Sequence, residues 1–350
     1  MLIPHGKLRA CAAEIFRSAG SAAAEADIVA DHLVEANLQG HDSHGVGMIP
    51  TYLANLAAGS LVANRQGRVA KDDGAILIYD GEHGYGQVVA RAATALGIER
   101  ARRNGVALVA LRNAHHIGRI GSYGEQCVAA GLVSLHFVNV IGHVPFVAPH
   151  RGSDARLATN PVCIAVPGAT AERPVILDMA TSKVPVGKVR VAANEGRRLA
   201  PDLLLDGAGR PTTDPAALFG QPTGALLPLG DHKGYALSFL CELLAGAVAG
   251  GGTLRPENQD KHTITNNMLM ITIDPARLVD APWMREEIEA VTGFVTASTP
   301  RDPAEPVLIP GDPERLERSR RLANGIPVDA VTWGQLTEAA RKVGVDLRSD

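Results

Sequence analysis

The chain has 350 residues, 46% hydrophobic and 20% charged, with a formal net charge of −3. Its length favours two domains, and its balance is that of an ordinary globular protein. No basic stripe interleaved with aromatic residues is present, so nucleic acid and anionic membranes are poor partners.

The opening residues, MLIPHGKLRACAAEIF, lack the charged-then-apolar layout of a secretory leader. The longest apolar stretch, 235–252, is interrupted by Glu242 and ends in glycines, unlike a membrane span. Cys11, Cys127, Cys163 and Cys241 are widely spaced with no CxxC. That argues against a zinc ribbon or disulfide framework and for buried thiols in the cytoplasm.

Residues 5–19 put Leu8, Cys11, Ala12, Ile15 and Phe16 on one helical face, and Gly20 ends the pattern. Ser21 can cap a second helix carrying Ile28, Val29, Leu33 and Ala36, which stops at Gly40; the two read as a hairpin. The run AILIY within 71–81 is a strand. A helix over 88–103 turns Val88, Val89, Ala92, Ala93 and Leu96 inward and stops at Asn104-Gly105. Strands are expected at 106–111, 133–140, 162–166 and 174–178. Residues 193–215, rich in Gly, Pro, Asp and Arg, read as irregular structure or a hairpin. A long apolar helix (234–249), a strand (269–274), a Pro-rich linker (296–306) and helices at 312–324 and 330–343 follow. Helical ends around an α/β middle suggest a discontinuous helical domain, 1–70 plus 305–350, and an α/β domain, 71–304.

Several polar segments carry chemistry. In HDSHG (41–45) the two histidines have HxxH spacing. No Cys or Glu stands at ligand spacing nearby, so no metal is expected, and a polar cluster for a small anion or cofactor competes with a plain polar loop. In LRNAHHIGRIGSY (111–123) an apolar run ends in two histidines and a glycine-spaced turn. Histidine exchanges protons near neutral pH, and glycine admits close backbone approach. One of His115 and His116 is expected to pack, the other to act as general acid or base. ATNP (158–161) and DMATS (178–182) offer small hydroxyls and backbone N–H groups suited to phosphate or ribose. DHKGY (231–235) reads as a solvated helix cap or as a cation near a phosphate. A GxGxxG after a strand, a GxxxxGK[ST] and a GxSxG are all missing, so a dinucleotide would bind outside the Rossmann fold.

In order along the chain, HDSHG (41–45), NAHHIGRIGSYGE (113–125), ATNP (158–161), LDMATS (177–182), HKGYAL (232–237) and PGDPE (310–314) resemble the malate/L-lactate dehydrogenase family. These are non-Rossmann NAD(P)-dependent oxidoreductases. GHDSHGVGMIP with HHIGRIGSY is similar to the hydroxycarboxylate dehydrogenase B branch. The resemblance implies an α/β (α+β) fold of the L-sulfolactate dehydrogenase type, with a mixed central sheet and a helical domain formed by both termini. It implies a homodimer with the active site in a cleft near the subunit interface. It also implies reduction of a 2-oxo acid, or oxidation of a 2-hydroxy acid, by hydride exchange with NAD or NADP. In this reading His116 is the acid/base, and Ser43 and His44 lie beside substrate and nicotinamide. Gly118, Arg119, Ile120, Asp178, Met179, Ala180, His232, Asn266, Gly311, Asp312 and Glu314 contact the cofactor.

One position departs from the family. Many members carry an arginine four residues after the counterpart of His44, where Met48 stands here. With Ile49, Pro50 and Tyr52 nearby, the substrate pocket is expected to favour apolar or aromatic 2-oxo acids. Malate, lactate, ureidoglycolate and a cyclic imine such as piperideine-2-carboxylate are the alternatives. Arg119, Lys183 and Lys188 are candidate partners for the substrate carboxylate.

Overall fold

The computed structural model describes residues 1–259 and 263–347. After a short strand β1 (Leu2–Ile3), α1 (His5–Ser18) and α2 (Ala23–Leu38) form the expected hairpin. α1 buries Leu8, Ala12, Ile15 and Phe16 against Val29, Ala30 and Leu33 of α2. Ser21 does not cap α2; its hydroxyl donates to the Tyr85 hydroxyl at 3.4 Å. A third helix, α3 (Ile49–Ala57), follows the HDSHG loop.

The middle of the chain builds one seven-stranded sheet from β2 (Arg68–Asp73), β3 (Ile76–Asp80), β4 (Val106–His115), β5 (Val133–Ile141), β6 (Val162–Val166), β7 (Val175–Met179) and β11 (Thr265–Ile273). Its order is β2-β3-β4-β11-β5-β6-β7. Only β3 and β4 run parallel, joined by the crossover helix α4 (Gly86–Asn104); every other neighbour is antiparallel. The sheet is therefore mixed. β4 and β11 are both longer than their apolar runs. β4 continues through Arg112 and Asn113 to His115, and β11 begins with the polar Thr265, Asn266 and Asn267, all buried.

α5 (Gly121–Ala129) and α6 (Val186–Asn194) were not marked by their local sequences. Gly124 explains α5: a Cβ there would lie 2.9 Å from both Cys163 Sγ and Ala165 Cβ, so glycine lets α5 lie close on β6. β8 (Leu204–Leu205), β9 (Pro211–Thr212) and β10 (Ala225–Leu226) form a small antiparallel sheet that includes the expected hairpin. The long apolar helix is present as α7 (His232–Cys241) running into a π-helical segment, Glu242–Val248. The helix α8 (Ala281–Thr296), which periodicity did not mark either, has no buried residue.

α9 (Asp312–Asn324), β12 (Ile326–Pro327) and α10 (Ala330–Lys342) close the chain. β12 pairs antiparallel with β1. Ile326, Leu336 and Leu347 share one apolar cluster with Ile3, Leu8, Phe16 and Tyr52, so the two ends bury each other's surface. Among the described residues no helix is long and apolar enough to cross a membrane.

Candidate active site

β4 delivers two histidines to different places. His115 packs inward, with its Nε2 2.8 Å from Asn55 Nδ2. His116 reaches the edge of a cleft and is 8% exposed. Its Nδ1 lies 2.6 Å from the Tyr52 hydroxyl, and Gln87 Nε2 donates to that hydroxyl at 2.7 Å. Its Nε2 lies 3.2 Å from His44 Nδ1, and the two rings are nearly parallel, with centroids 5.3 Å apart and planes 18° apart.

The loop that bears Ser43 and His44 is held by Asn37, at the end of α2. Asn37 Nδ2 donates to Asp42 Oδ1 at 2.6 Å, and its Oδ1 accepts from Val46 N at 2.9 Å. Burial pushes His44 down to about 4 and holds His116 well below the ordinary histidine value, with neighbouring histidines adding to the shift on His116. Both imidazoles are therefore neutral at pH 7. Burial also raises Tyr52, which keeps its phenol proton.

The turn after His116 is equally constrained. Ile117 N donates to Asn266 Oδ1 at 2.9 Å, while Asn266 Nδ2 donates to Asn139 O at 3.0 Å. Gly118 has φ 72°, and a Cβ there would lie 2.5 Å from His32 Nε2; His32 in turn accepts from Arg119 N at 3.0 Å. The Arg119 side chain points inward and is 2% exposed. It pairs with Glu125 at 2.9 Å and Asp178 at 3.4 Å. Asp178 also accepts from Gly121 N at 2.8 Å. ATNP and DMATS are stitched together, Thr181 N donating to Thr159 O at 3.1 Å.

A cleft of about 1110 Å³ joins these parts. Its wall includes Ser43, His44, Met48 and His116, then Gly118, Arg119, Ile120 and Asn266, and beyond them Asp178, Met179, Ala180 and Glu314. Four residues expected at the site lie off this wall. Tyr52 is fully buried behind His116, where it bonds the imidazole instead of facing the cleft. His232 is exposed and sets its ring edge against His150. Asp312 is tied to Arg173 at 2.8 Å and Arg315 at 2.6 Å, which holds its carboxyl well below the usual range, and Gly311 precedes α9 as its cap. Of the three candidate carboxylate partners, Arg119 is turned inward and Lys183 pairs with Asp231 at 3.3 Å, away from the wall. Lys188 lines the cleft and is exposed, as is Arg190 beside it on α6, and neither forms an ion pair among the described residues.

The residues present fit a dinucleotide together with a small acid. Single ligands occupy roughly 300–1,000 Å³, and this cleft exceeds that range. Its apolar wall (Ile120, Val138, Val140) suits a nicotinamide face, and the unpaired cations on α6 suit phosphate or carboxylate. Among the described residues no three His, Cys, Asp or Glu side chains converge as a metal site; His41 instead lies 3.4 Å from Glu314. Gln87 and His32 carried no signal in the sequence, because each acts on a residue far along the chain; Asn37 acts locally, on Asp42 and Val46, but no motif marks it.

The profile of the malate/L-lactate dehydrogenase family matches residues 3–337. Hydroxycarboxylate dehydrogenase B of Escherichia coli (strain K12) is 46% identical over 333 residues, 95% of this chain and 91% of that one. L-lactate dehydrogenase of Cupriavidus necator is 38% identical, covering 91% of each. Among solved structures, sulfolactate dehydrogenase from Methanocaldococcus jannaschii superposes with a TM-score of 0.87 at 29% identity, covering 99% of both chains.

Proposed function

The chain belongs to the malate/L-lactate dehydrogenase family and is an oxidoreductase acting on CH–OH groups; from that premise we propose that it interconverts 2-oxo and 2-hydroxy acids with NAD or NADP. The observation that carries this reading is the His44–His116 pair, 3.2 Å apart on the wall of a cleft that also holds the Gly118–Ile120 turn.

The nicotinamide, when bound, supplies the hydride to the C2 carbon or accepts it from there. The histidine pair handles the proton. In reduction the protonated pair gives its proton to the carbonyl oxygen, leaving a hydroxyl and a neutral pair; in oxidation the neutral pair takes the hydroxyl proton. Burial keeps the two rings neutral by themselves, and an anionic substrate beside them favours the protonated form needed for reduction. His116 is the acid/base in this scheme. A second reading passes the same proton through His44, because His116 aims its Nε2 at His44 Nδ1. Ser43 offers a hydroxyl to the substrate oxygen, and Lys188 faces the substrate carboxylate. Met48 favours an apolar or aromatic side chain.

We further propose a cytoplasmic homodimer. α8 exposes Trp283 (56%) and Phe294 (83%), and α7 exposes Phe239 and Leu240, apolar surface that a second copy would cover. The buried thiols of Cys127, Cys163 and Cys241 suit a reducing compartment.

The test is a panel of 2-oxo acids with NADH and NADPH, following loss of nicotinamide absorbance. Turnover of a phenylpyruvate-like acid is expected. Cofactor binding by thermal shift with no turnover of any acid would point instead to a non-catalytic nucleotide-binding protein.

A further inference from the structure

Catalytic histidines are commonly oriented by a carboxylate or a backbone carbonyl on the nitrogen remote from substrate. His116 has neither. Behind it stands a phenol, and behind the phenol an amide: Gln87 Nε2 lies 2.7 Å from Tyr52 Oη, which lies 2.6 Å from His116 Nδ1. All three side chains are buried. The other titratable groups acting on His116 are His44, His115, His32 and His143, and the Asp178 carboxylate acts on the pair through His44 without overcoming its burial.

We propose that Tyr52, held by Gln87, is a positioning residue that fixes His116 as the tautomer with a bare Nδ1 and an Nε2–H aimed at His44 and the cleft. The argument is a count of protons. The phenol carries one hydrogen. Gln87 donates an N–H to the oxygen, so the phenol hydrogen is free to go to the remaining neighbour, His116 Nδ1. A nitrogen that accepts this bond holds no proton, so the single proton of the neutral imidazole sits on Nε2. The Nε2–H then donates to His44 Nδ1 at 3.2 Å, which places the proton of His44 on its own Nε2. The chain Gln87, Tyr52, His116, His44 is thus polarised in one direction, from the core to the cleft.

A neutral orienter has a further consequence. A carboxylate in that position would stabilise an imidazolium, and a phenol does not. The tautomer is fixed without a charge being fixed, so the pair stays neutral until an anion enters.

This inference rests on the proposed acid/base role of the histidine pair, and the experiment separates the two. Nitrogen-15 and carbon-13 spectra of histidine-labelled protein report the tautomer of each ring. Wild type at neutral pH is expected to show His116 with Nδ1 bare and Nε2 protonated. Tyr52→Phe and Gln87→Met should give a mixture or a reversal. Their kcat should fall about 10- to 100-fold, as loss of an orienting partner does, with KM little changed and the pH profile of kcat displaced. A protonated Nδ1 in wild type overturns the inference, since it means that Tyr52 donates to Gln87 Oε1 and not to His116. So does a Tyr52→Phe enzyme with wild-type kcat, pH profile and tautomer. If Tyr52→Phe fails to fold, the wild-type spectrum still decides. Retained activity in His116→Ala would remove the catalytic reading while leaving the tautomer result standing.

Discussion

Arg321 of α9 grips Asp42, the residue before Ser43, with both terminal nitrogens: Nη1 to Oδ1 at 2.6 Å and Nη2 to Oδ2 at 3.0 Å. Nη1 also donates to Asn37 O at 2.6 Å, and Glu317 pairs with the same guanidinium. α9 therefore holds the loop that presents His44. Arg321→Ala should lower kcat/KM at least ~10-fold, because small misplacements of a reacting group cost that much or more. Arg321→Lys should recover only part, since lysine cannot make the bidentate contact. Unchanged kinetics in Arg321→Ala would show that the loop keeps its place without this clamp.

The same ends support a folding prediction. We propose that residues 1–70 and 305–350 fold as one unit. Deleting 312–350 strips Ile326, Leu336 and Leu347 from the cluster that includes Phe16 and Tyr52. The truncated chain should be insoluble or poorly folded; a soluble, active product would refute the shared unit.

His116→Ala should cut turnover at least ~100-fold, the low end for losing a positioned acid. Cofactor affinity, measured by fluorescence titration, should change little, because Asn266 holds the turn through the backbone at Ile117. Near-normal turnover would remove His116 from the proton path.

Met48 is 8% exposed on the cleft wall, one helical turn before Tyr52. A second substrate carboxylate beside a thioether would be left without a cation, which costs several kcal/mol. Phenylpyruvate should therefore show a higher kcat/KM than oxaloacetate. Met48→Arg should move the ratio toward oxaloacetate at least tenfold if the new pair contributes ~1.4 kcal/mol. A ratio that does not move would mean that position 48 does not face the substrate.

Acid should destabilise the fold through its histidines. Burial pushes His32, His115 and His136 down to about 3 and His44 to about 4, and holds His116 well below 6.5. The unfolded chain takes up these protons near pH 6.5 and the folded chain does not. Their contribution is thus complete above about pH 6.5 and is lost as pH falls below it, by ~1.4 kcal/mol per pH unit for each histidine that stays neutral. The urea midpoint should drop clearly between pH 8 and pH 5; a constant midpoint would contradict the buried neutral histidines.

What the sequence by itself determined is what a short window contains. The α1–α2 hairpin, α4, and the apolar strands β5, β6 and β7 each carry their own periodicity and stop signals. The absence of a glycine fingerprint excluded a Rossmann site, and six ordered motifs marked the family. Tertiary structure decided the rest. β4 runs on to His115 and β11 starts at Thr265 because neighbouring strands pair with polar residues that look like loop in isolation. α5 forms despite two glycines because Gly124 must lie against β6. At the site, nothing local says that Tyr52 turns away from the cleft to meet His116, 64 residues on, or that Asp312 is taken by Arg173, 139 residues back. A side chain's direction and its free hydrogen-bonding capacity depend on which distant groups the fold brings beside it. Local sequence therefore marks a residue as able to do chemistry, and only packing decides whether it faces the cleft.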